Sequence, residues 1–433
     1  MSENTTANRL VSLDVFRGMT IAGMVLVNNP GTWSAIYSPL QHAPWHGITP
    51  TDYIFPFFLF IVGIAIPIAL GKRIKEGITS QVYLKIIQRA AIIFGLGLLM
   101  AAFPLVNLTE SNIPMVVKLL AMLGLMAAVY FWLVDKSREA LGALVFTSVL
   151  LLGFYLANYS LVFNNFATLR IPGVLQRIAV CYLITSLIFL HTNWKQMTII
   201  SICLLLLYWL LMTVIPVPGC EITTIDDKAC NLAAYLDRLI LTEAHIWKSA
   251  KVYDPEGILS TLPAIVTTIS GVLTGMWLKT ERSDTEKAGG MFFFGVVLCA
   301  VGWCWNFFFP FNKSLWTSSY VVYTSGLALC FLGFCFWLID IKGYKKWAQP
   351  FVIFGMNALA LFVFSGLFAR VLSIIKVGEL DGKPLSLQQW IFNEIFLSIA
   401  APINASLTFA VSFILFWLFL MWILYRKQIY IKV

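Results

Sequence analysis

Residues 51–70 read TDYIFPFFLFIVGIAIPIAL. After Asp52 no charged side chain appears before Lys72, and at a rise of about 1.5 Å per residue such a run reaches across about 30 Å of hydrocarbon. Inside a bilayer the backbone must satisfy its own N–H and C=O groups, so the run predicts a helix, and its internal Pro67 does not argue against one. The rest of the chain agrees. Of 433 residues 59% are hydrophobic and only 12% charged, with mean hydropathy +0.83, whereas a soluble domain carries about 25% charged residues. These proportions exclude an ordinary water-soluble protein and predict an all-α, polytopic membrane bundle.

Outward from that run, comparable apolar segments lie near 12–30, 84–105, 113–134, 141–159, 171–190, 197–217, 260–279, 288–309, 316–339, 351–375 and 404–425. With 52–71 they make about twelve spans. An amphipathic stretch at 385–402 is expected at the interface. A single transmembrane domain over 1–433 is expected, with no soluble domain, linker or repeat. The opening MSENTTANRL is polar and lacks a cleavable-signal pattern.

The net charge of +9 raises the question of nucleic acid, but the basic residues are scattered between apolar runs rather than gathered into a domain or tail. They read instead as topology signals. Arg9, the group Lys72, Arg73, Lys75, Lys85 and Arg89, and the terminal Arg426, Lys427 and Lys432 put both termini on the cytoplasmic side. The segment 31–51 and a large loop of about 218–259 then face outward. Cys220 and Cys230 lie in that loop, where a disulfide survives only in an oxidising compartment; the other cysteines lie in apolar runs and read as small hydrophobes.

Two of the four histidines, His42 and His46, stand in QHAPWHGITPTD (41–52), directly before the opening run. A neutral imidazole is a proton acceptor near pH 7, so His42 reads as a general base or an acyl-accepting nucleophile. An interfacial histidine with no chemistry, or a metal ligand with His46, are the competing readings; Pro44 between them disfavours a regular helical ligand pair. Asp52 caps the following helix and is also suited to orient His42 as an acidic partner. Asn28, at the end of the first span, is a donor for a developing oxyanion or a structural helix end. Asp14 and Arg17 read as a local ion pair or as a ligand-anion site. Arg170 and Arg177, seven apart, share a helical face with Gln176 adjoining, and demand anionic partners; Asp254 and Glu256 either pair with them or bind a cationic amine.

SLDVFRG, VNN, HAPWHGITPTDYIFPFFLF, RIPGVLQRIAVCY, VPGC followed by C and AAYLDRLIL, YDPEGILSTLPAI, NKSLWTSSYVV, GMNALALFV and the terminal LYRKQIYIKV occur in this order. Together they resemble the heparan-alpha-glucosaminide N-acetyltransferase family and its bacterial relatives. The resemblance implies a transmembrane acetyltransferase in an inner membrane, with acetyl-CoA as co-substrate supplied from the cytoplasm, an amino sugar acetylated on the periplasmic side, no metal, and a homodimer. It places the active histidine on His42, its companion asparagine on Asn28 and its aspartate on Asp52. The set binding substrate or acetyl-CoA is Asp14, Arg17, Trp45, His46, Arg170, Gln176, Arg177, Asp254, Glu256 and Asn357. Cys220 and Cys230 match positions expected to pair. The chain departs from the lysosomal enzyme in three ways. No counterpart to a luminal N-terminal region and its span is expected, two extra spans are expected at about 106–160, and His46 stands where that enzyme has asparagine. These departures favour a small acceptor such as glucosamine over polymeric heparan. An amino-sugar transporter without acyl transfer is the alternative from another class.

Overall fold

The structure, a computed structural model, describes residues 10–108, 110–380 and 382–431. Arg9, Lys432 and most of the opening polar stretch therefore lie outside the described residues, as do the side chains of Lys72 and Lys75. In chain order the helices are α1 (Val11–Asn28), α2 (Ile54–Glu76), α3 (Ser80–Ala102), α4 (Met115–Leu133), α5 (Ser137–Leu156), α6 (Val174–His191), α7 (Trp194–Val214), α8 (Leu232–Leu241), α9 (Thr261–Leu278), α10 (Asp284–Trp305) and α11 (Ser318–Cys335, prolonged by a π-helical turn to Ile341). Then follow α12 (Gln349–Met356), α13 (Ala358–Ile374), a hairpin of β1 (Lys376–Leu380) and β2 (Lys383–Ser386), α14 (Leu387–Ile391) and α15 (Pro402–Arg426). Among the described residues 11 helices are long and apolar enough to cross a membrane, and up to 12 spans result if the bent pair ending in α13 counts as one. The chain is an all-α polytopic membrane protein.

Local sequence explains where the helices begin. Pro50 occupies the first turn leading into α2, where its missing N–H costs nothing, and Asp52 reaches back to the Thr49 N–H at 3.0 Å. Asn193 caps α7, and Ser283 with Glu286 forms a capping box at α10.

The chain forms two compact units. The first comprises Met1–Thr20 (described from Leu10), His42–Leu98 and Ala167–Val352. Its core gathers Phe16, Phe60, Ile64, Met291, Leu332 and Phe336. Helices α2 and α9 meet backbone to backbone: a Cβ on Gly271 would stand 2.0 Å from the Phe60 carbonyl oxygen, and one on Gly63 2.0 Å from that of Thr268. Small residues permit such contact in lipid, where packing replaces the hydrophobic drive between helices. The second unit comprises Ile21–Gln41, Leu99–Phe166 and Ile353–Val433. It holds α4 and α5, the two spans of the 106–160 segment, and the α13–α15 region, where Gly31 N–H donates to the Ser406 carbonyl at 3.3 Å.

Three features differ from the sequence expectation or go beyond it. The span expected at 351–375 is broken, with a 72° bend between the segment ending at Met356 and α13. Asn357 stands at the break, and its side chain binds backbone: Nδ2 donates to the Ile429 carbonyl at 3.1 Å and Oδ1 accepts from Ile431 N–H at 2.8 Å. The stretch at 385–402, expected only as amphipathic, is built from a hairpin end, a short helix and a π turn. The loop at 218–259 contains α8, capped by Asn231, whose Oδ1 accepts from Ala234 N–H at 2.9 Å.

Candidate active site

In the first unit the N-terminal ends of α2, α6, α9 and α11, with the C-terminal ends of α7 and α10, gather the loops that carry most of the candidate residues. Asp52 is 1% exposed and uses both carboxylate oxygens. Oδ1 lies 2.7 Å from His42 Nδ1. Oδ2 accepts from Ala43 N–H at 3.1 Å, Thr49 N–H at 3.0 Å and Thr49 Oγ1 at 3.0 Å. Capping and histidine orientation are thus carried by one side chain. A carboxylate only accepts, so the imidazole proton resides on Nδ1 and the lone pair on Nε2. The buried Tyr320 hydroxyl donates to the Asp52 carbonyl at 2.5 Å and holds the same backbone from beneath.

The imidazole has a further neighbour. Lys313 Nζ stands 3.1 Å from both ring nitrogens of His42 and 3.9 Å from Asp52 Oδ1. Burial lowers the Lys313 pKa, while Asp52 and Glu256 pull the other way. Its backbone is fixed by a tight turn: buried Asn312 accepts from Leu315 N–H at 2.9 Å, Trp316 has φ +54°, and Tyr208 Oη donates to the Leu315 carbonyl at 2.5 Å.

Behind this pair lies an ion network. Arg170 forks onto Asp254, Nε to Oδ2 at 2.8 Å and Nη2 to Oδ1 at 2.6 Å, and also reaches Glu256 Oε2 at 2.5 Å. Burial opposes the Arg170 charge, but the two carboxylates outweigh it and hold the guanidinium protonated. Of the two options open in the sequence, Asp254 and Glu256 take the arginine. Arg177 is 2% exposed; it donates through Nη2 to the Gly257 carbonyl at 3.1 Å and to Ser260 Oγ, and lies over the Trp316 ring at 5.1 Å. Its Nε and Nη1 have no hydrogen-bond partner. Asp237, on α8, organises the loop that carries these acids, accepting from Ile258 N–H at 2.9 Å and Asp254 N–H at 3.3 Å. Burial raises its pKa to about 6 against those two bonds. Gly257 is required beside it, since a Cβ there would lie 2.1 Å from Asp237 Oδ2.

Cys220 and Cys230 are disulfide-bonded, and the loop they close packs on the histidine segment. Ile225 O accepts from Trp45 Nε1 at 2.9 Å, and Asp226 Oδ1 lies 2.9 Å from His46 Nε2. Asn312 Nδ2 donates to His46 Nδ1 at 3.4 Å, so His46 is held from both sides. Trp45 meets Tyr253 edge to face at 5.1 Å, making an aromatic wall near the polar cluster.

His42, Trp45, His46, Asp52, Arg170, Arg177, Asp254 and Glu256 are therefore brought to one end of the unit. Gln176 is buried beside Gly97 and Gly173. Asp14 and Arg17 are not part of this group. They pair with each other at 3.4 Å, near the π turn where Asp340 accepts from Ser12 N–H, roughly 30 Å along α11 from its start. Asn28 and Asn357 belong to the second unit; Asn28 is the exposed last residue of α1. Among the described residues no group of three or more His, Cys, Asp or Glu side chains is arranged to hold a metal ion. Sequence reasoning missed Lys313, Asp237, Asp226, Asn312 and Tyr320. For Lys313 a signal existed, a lone cation in a short loop on the face expected to be poor in cations.

Residues 9–172 match the family model described as heparan-alpha-glucosaminide N-acetyltransferase, catalytic. The heparan-alpha-glucosaminide N-acetyltransferase of Mus musculus is 26% identical over 414 residues, covering 84% of this chain and 54% of the mouse protein. That of Homo sapiens is 25% identical over 414 residues, covering 82% of this chain and 52% of the human protein. The chain thus spans about half the length of the curated relatives it matches. The family resemblance carried by its motifs is the one these matches find: over most of its length the chain is similar to the heparan-alpha-glucosaminide N-acetyltransferases.

Proposed function

We propose that this protein moves the acetyl group of acetyl-CoA to the primary amine of a small, glucosamine-like amino sugar. In this reading the donor enters from the cytoplasmic side of an inner membrane and the acceptor from the periplasmic side, where the His42 loop faces. The observation that carries the proposal is the buried Asp52 carboxylate 2.7 Å from His42 Nδ1, which leaves the Nε2 lone pair to accept a proton.

An amine attacks a thioester only when neutral. His42 Nε2 takes the amine proton as the C–N bond forms, and Asp52 stabilises the imidazolium. Collapse breaks the C–S bond, and the thiolate recovers the proton from His42. Trp45 and Tyr253 offer an apolar wall to a sugar ring. The CoA phosphates require cations, for which Arg17, Arg89 and Lys346 are the candidates.

The test incubates the purified chain with acetyl-CoA and a panel of amino sugars and identifies the product by mass. His42→Ala should lower turnover by about 10²–10⁴-fold while acetyl-CoA still binds; near-normal turnover would overturn the assignment. One observation favours the transporter reading, the broken span at Asn357, because interrupted helices line transport sites. Here the break is occupied by backbone of the C-terminal tail. In proteoliposomes, acetylated sugar supports the transferase, and unmodified sugar crossing the membrane supports the transporter.

A further inference from the structure

We infer that Lys313 is itself an acetyl acceptor, modified by the acetyl thioester when no amino sugar occupies the site. The inference rests on the acetyltransferase reading and extends it to a modification site. Lys313 puts a primary amine where the proposed reaction needs one, 3.1 Å from both ring nitrogens of His42 and 3.9 Å from Asp52 Oδ1.

Two further features separate this amine from an ordinary surface lysine. The turn at 312–317 is tied down by the Asn312, Tyr208 and Thr317 hydrogen bonds, so the backbone that carries Lys313 is fixed. Its surroundings are polar in the sense a substrate ammonium needs, with a base at one side and carboxylates of Asp52 and Glu256 acting on it. Burial adds to the neutral, nucleophilic fraction of the side chain.

The step balances without any other reagent. The Nζ lone pair attacks the thioester carbonyl carbon, the C–N bond forms and the C–S bond breaks. The proton leaving Nζ passes to His42 Nε2 and then to the departing thiolate, giving acetyl-lysine and a free thiol. The amide is neither basic nor readily hydrolysed. A protein so modified has lost the cation beside His42 and carries an acyl group where the acceptor amine must sit, so the modification limits turnover.

The experiment exposes the full-length protein in detergent to acetyl-CoA alone and to acetyl-CoA with excess glucosamine, and maps acetylated lysines by peptide mass. Lys313 should carry on the order of tenfold more acetyl than the exposed Lys228 and Lys248, and excess glucosamine should suppress it. His42→Gln should return Lys313 to the level of those controls, and Lys313→Arg should remove the label from that peptide. The glucosamine arm in wild-type protein needs no variant to fold. Equal labelling of Lys313 and the exposed lysines, or labelling indifferent to glucosamine, overturns the inference. Acetylglucosamine is measured in the glucosamine arm: sugar turnover there, with Lys313 unmodified even in the arm given acetyl-CoA alone, defeats the inference alone. Modified Lys313 without sugar turnover defeats the glucosamine assignment alone, and neither product defeats both.

Discussion

Replacing Asp52 by asparagine changes one atom and should silence the site through the histidine tautomer. In the native protein three donors converge on Oδ2, from Ala43 N–H, Thr49 N–H and Thr49 Oγ1, while Oδ1 faces His42. An amide has a single acceptor oxygen. Setting it at the Oδ2 position preserves three of the four contacts, and the NH₂ then faces His42 Nδ1. That nitrogen must accept, the ring proton moves to Nε2, and the lone pair that was to take the substrate proton is lost. Loss of a general base costs about 10²–10⁴-fold, or roughly 3–5.5 kcal/mol of barrier, and a wrong tautomer falls towards the upper end. The fold should lose only about 1.5–3 kcal/mol, the value of one charge-assisted hydrogen bond. The assay is steady-state acetyl transfer to glucosamine beside acetyl-CoA binding and thermal unfolding. Turnover within about tenfold of wild type, in a background where His42→Ala is inactive, would refute the tautomer argument.

Three other outcomes are expected. Gly271→Val forces side-chain carbon against the Phe60 carbonyl oxygen, where even a Cβ would stand 2.0 Å away; the α2–α9 contact should open at a cost of about 3 kcal/mol or more, read as lost yield and lowered Tm. Cys220→Ser with Cys230→Ser removes a cross-link of sequence separation 10, worth about 3 kcal/mol by loop entropy, and frees the loop that holds Trp45 and His46, so KM for the acceptor should rise more than kcat falls. Asp237 has a folded pKa of about 6 against 3.8 for a free carboxyl, so the folded protein keeps a proton that the unfolded chain releases. Its contribution is full below about pH 4 and is lost as pH rises through 6; Tm of wild type relative to Asp237→Asn should fall over that window and stay flat above it, and a pH-independent difference would refute the shift.

The spans were legible because they rest on one strong signal, the length of uncharged apolar runs, and α2 begins and ends within a few residues of the expected 52–71. The pairing of His42 with Asp52 was also within reach, because ten residues of chain separate them and a capping carboxylate has few places to point. What escaped depended on distant pairings. Lys313 is 271 residues from His42, and Asp237 acts on a loop 17 and 21 residues later through backbone N–H groups that any sequence would offer. The break at Asn357 escaped because GMNALALFV is apolar on both sides, and only the returning tail gives the amide its partners. Helix α8 was hidden for the opposite reason, being too short to span and set in polar sequence.

The glycine contact between α2 and α9 has a mechanical corollary. Two helices whose main chains touch at Gly63 and Gly271 cannot slip lengthwise past one another when the surrounding lipid becomes thinner or thicker. Mismatch must then be absorbed by common tilting or by the lipid itself, each at a fraction of a kcal/mol per Å. The carboxylate heading α2 and the Gly257–Ser260 stretch entering α9 should hold one spacing in short-chain and long-chain bilayers alike, which makes acyl-chain length a poor lever on this chemistry.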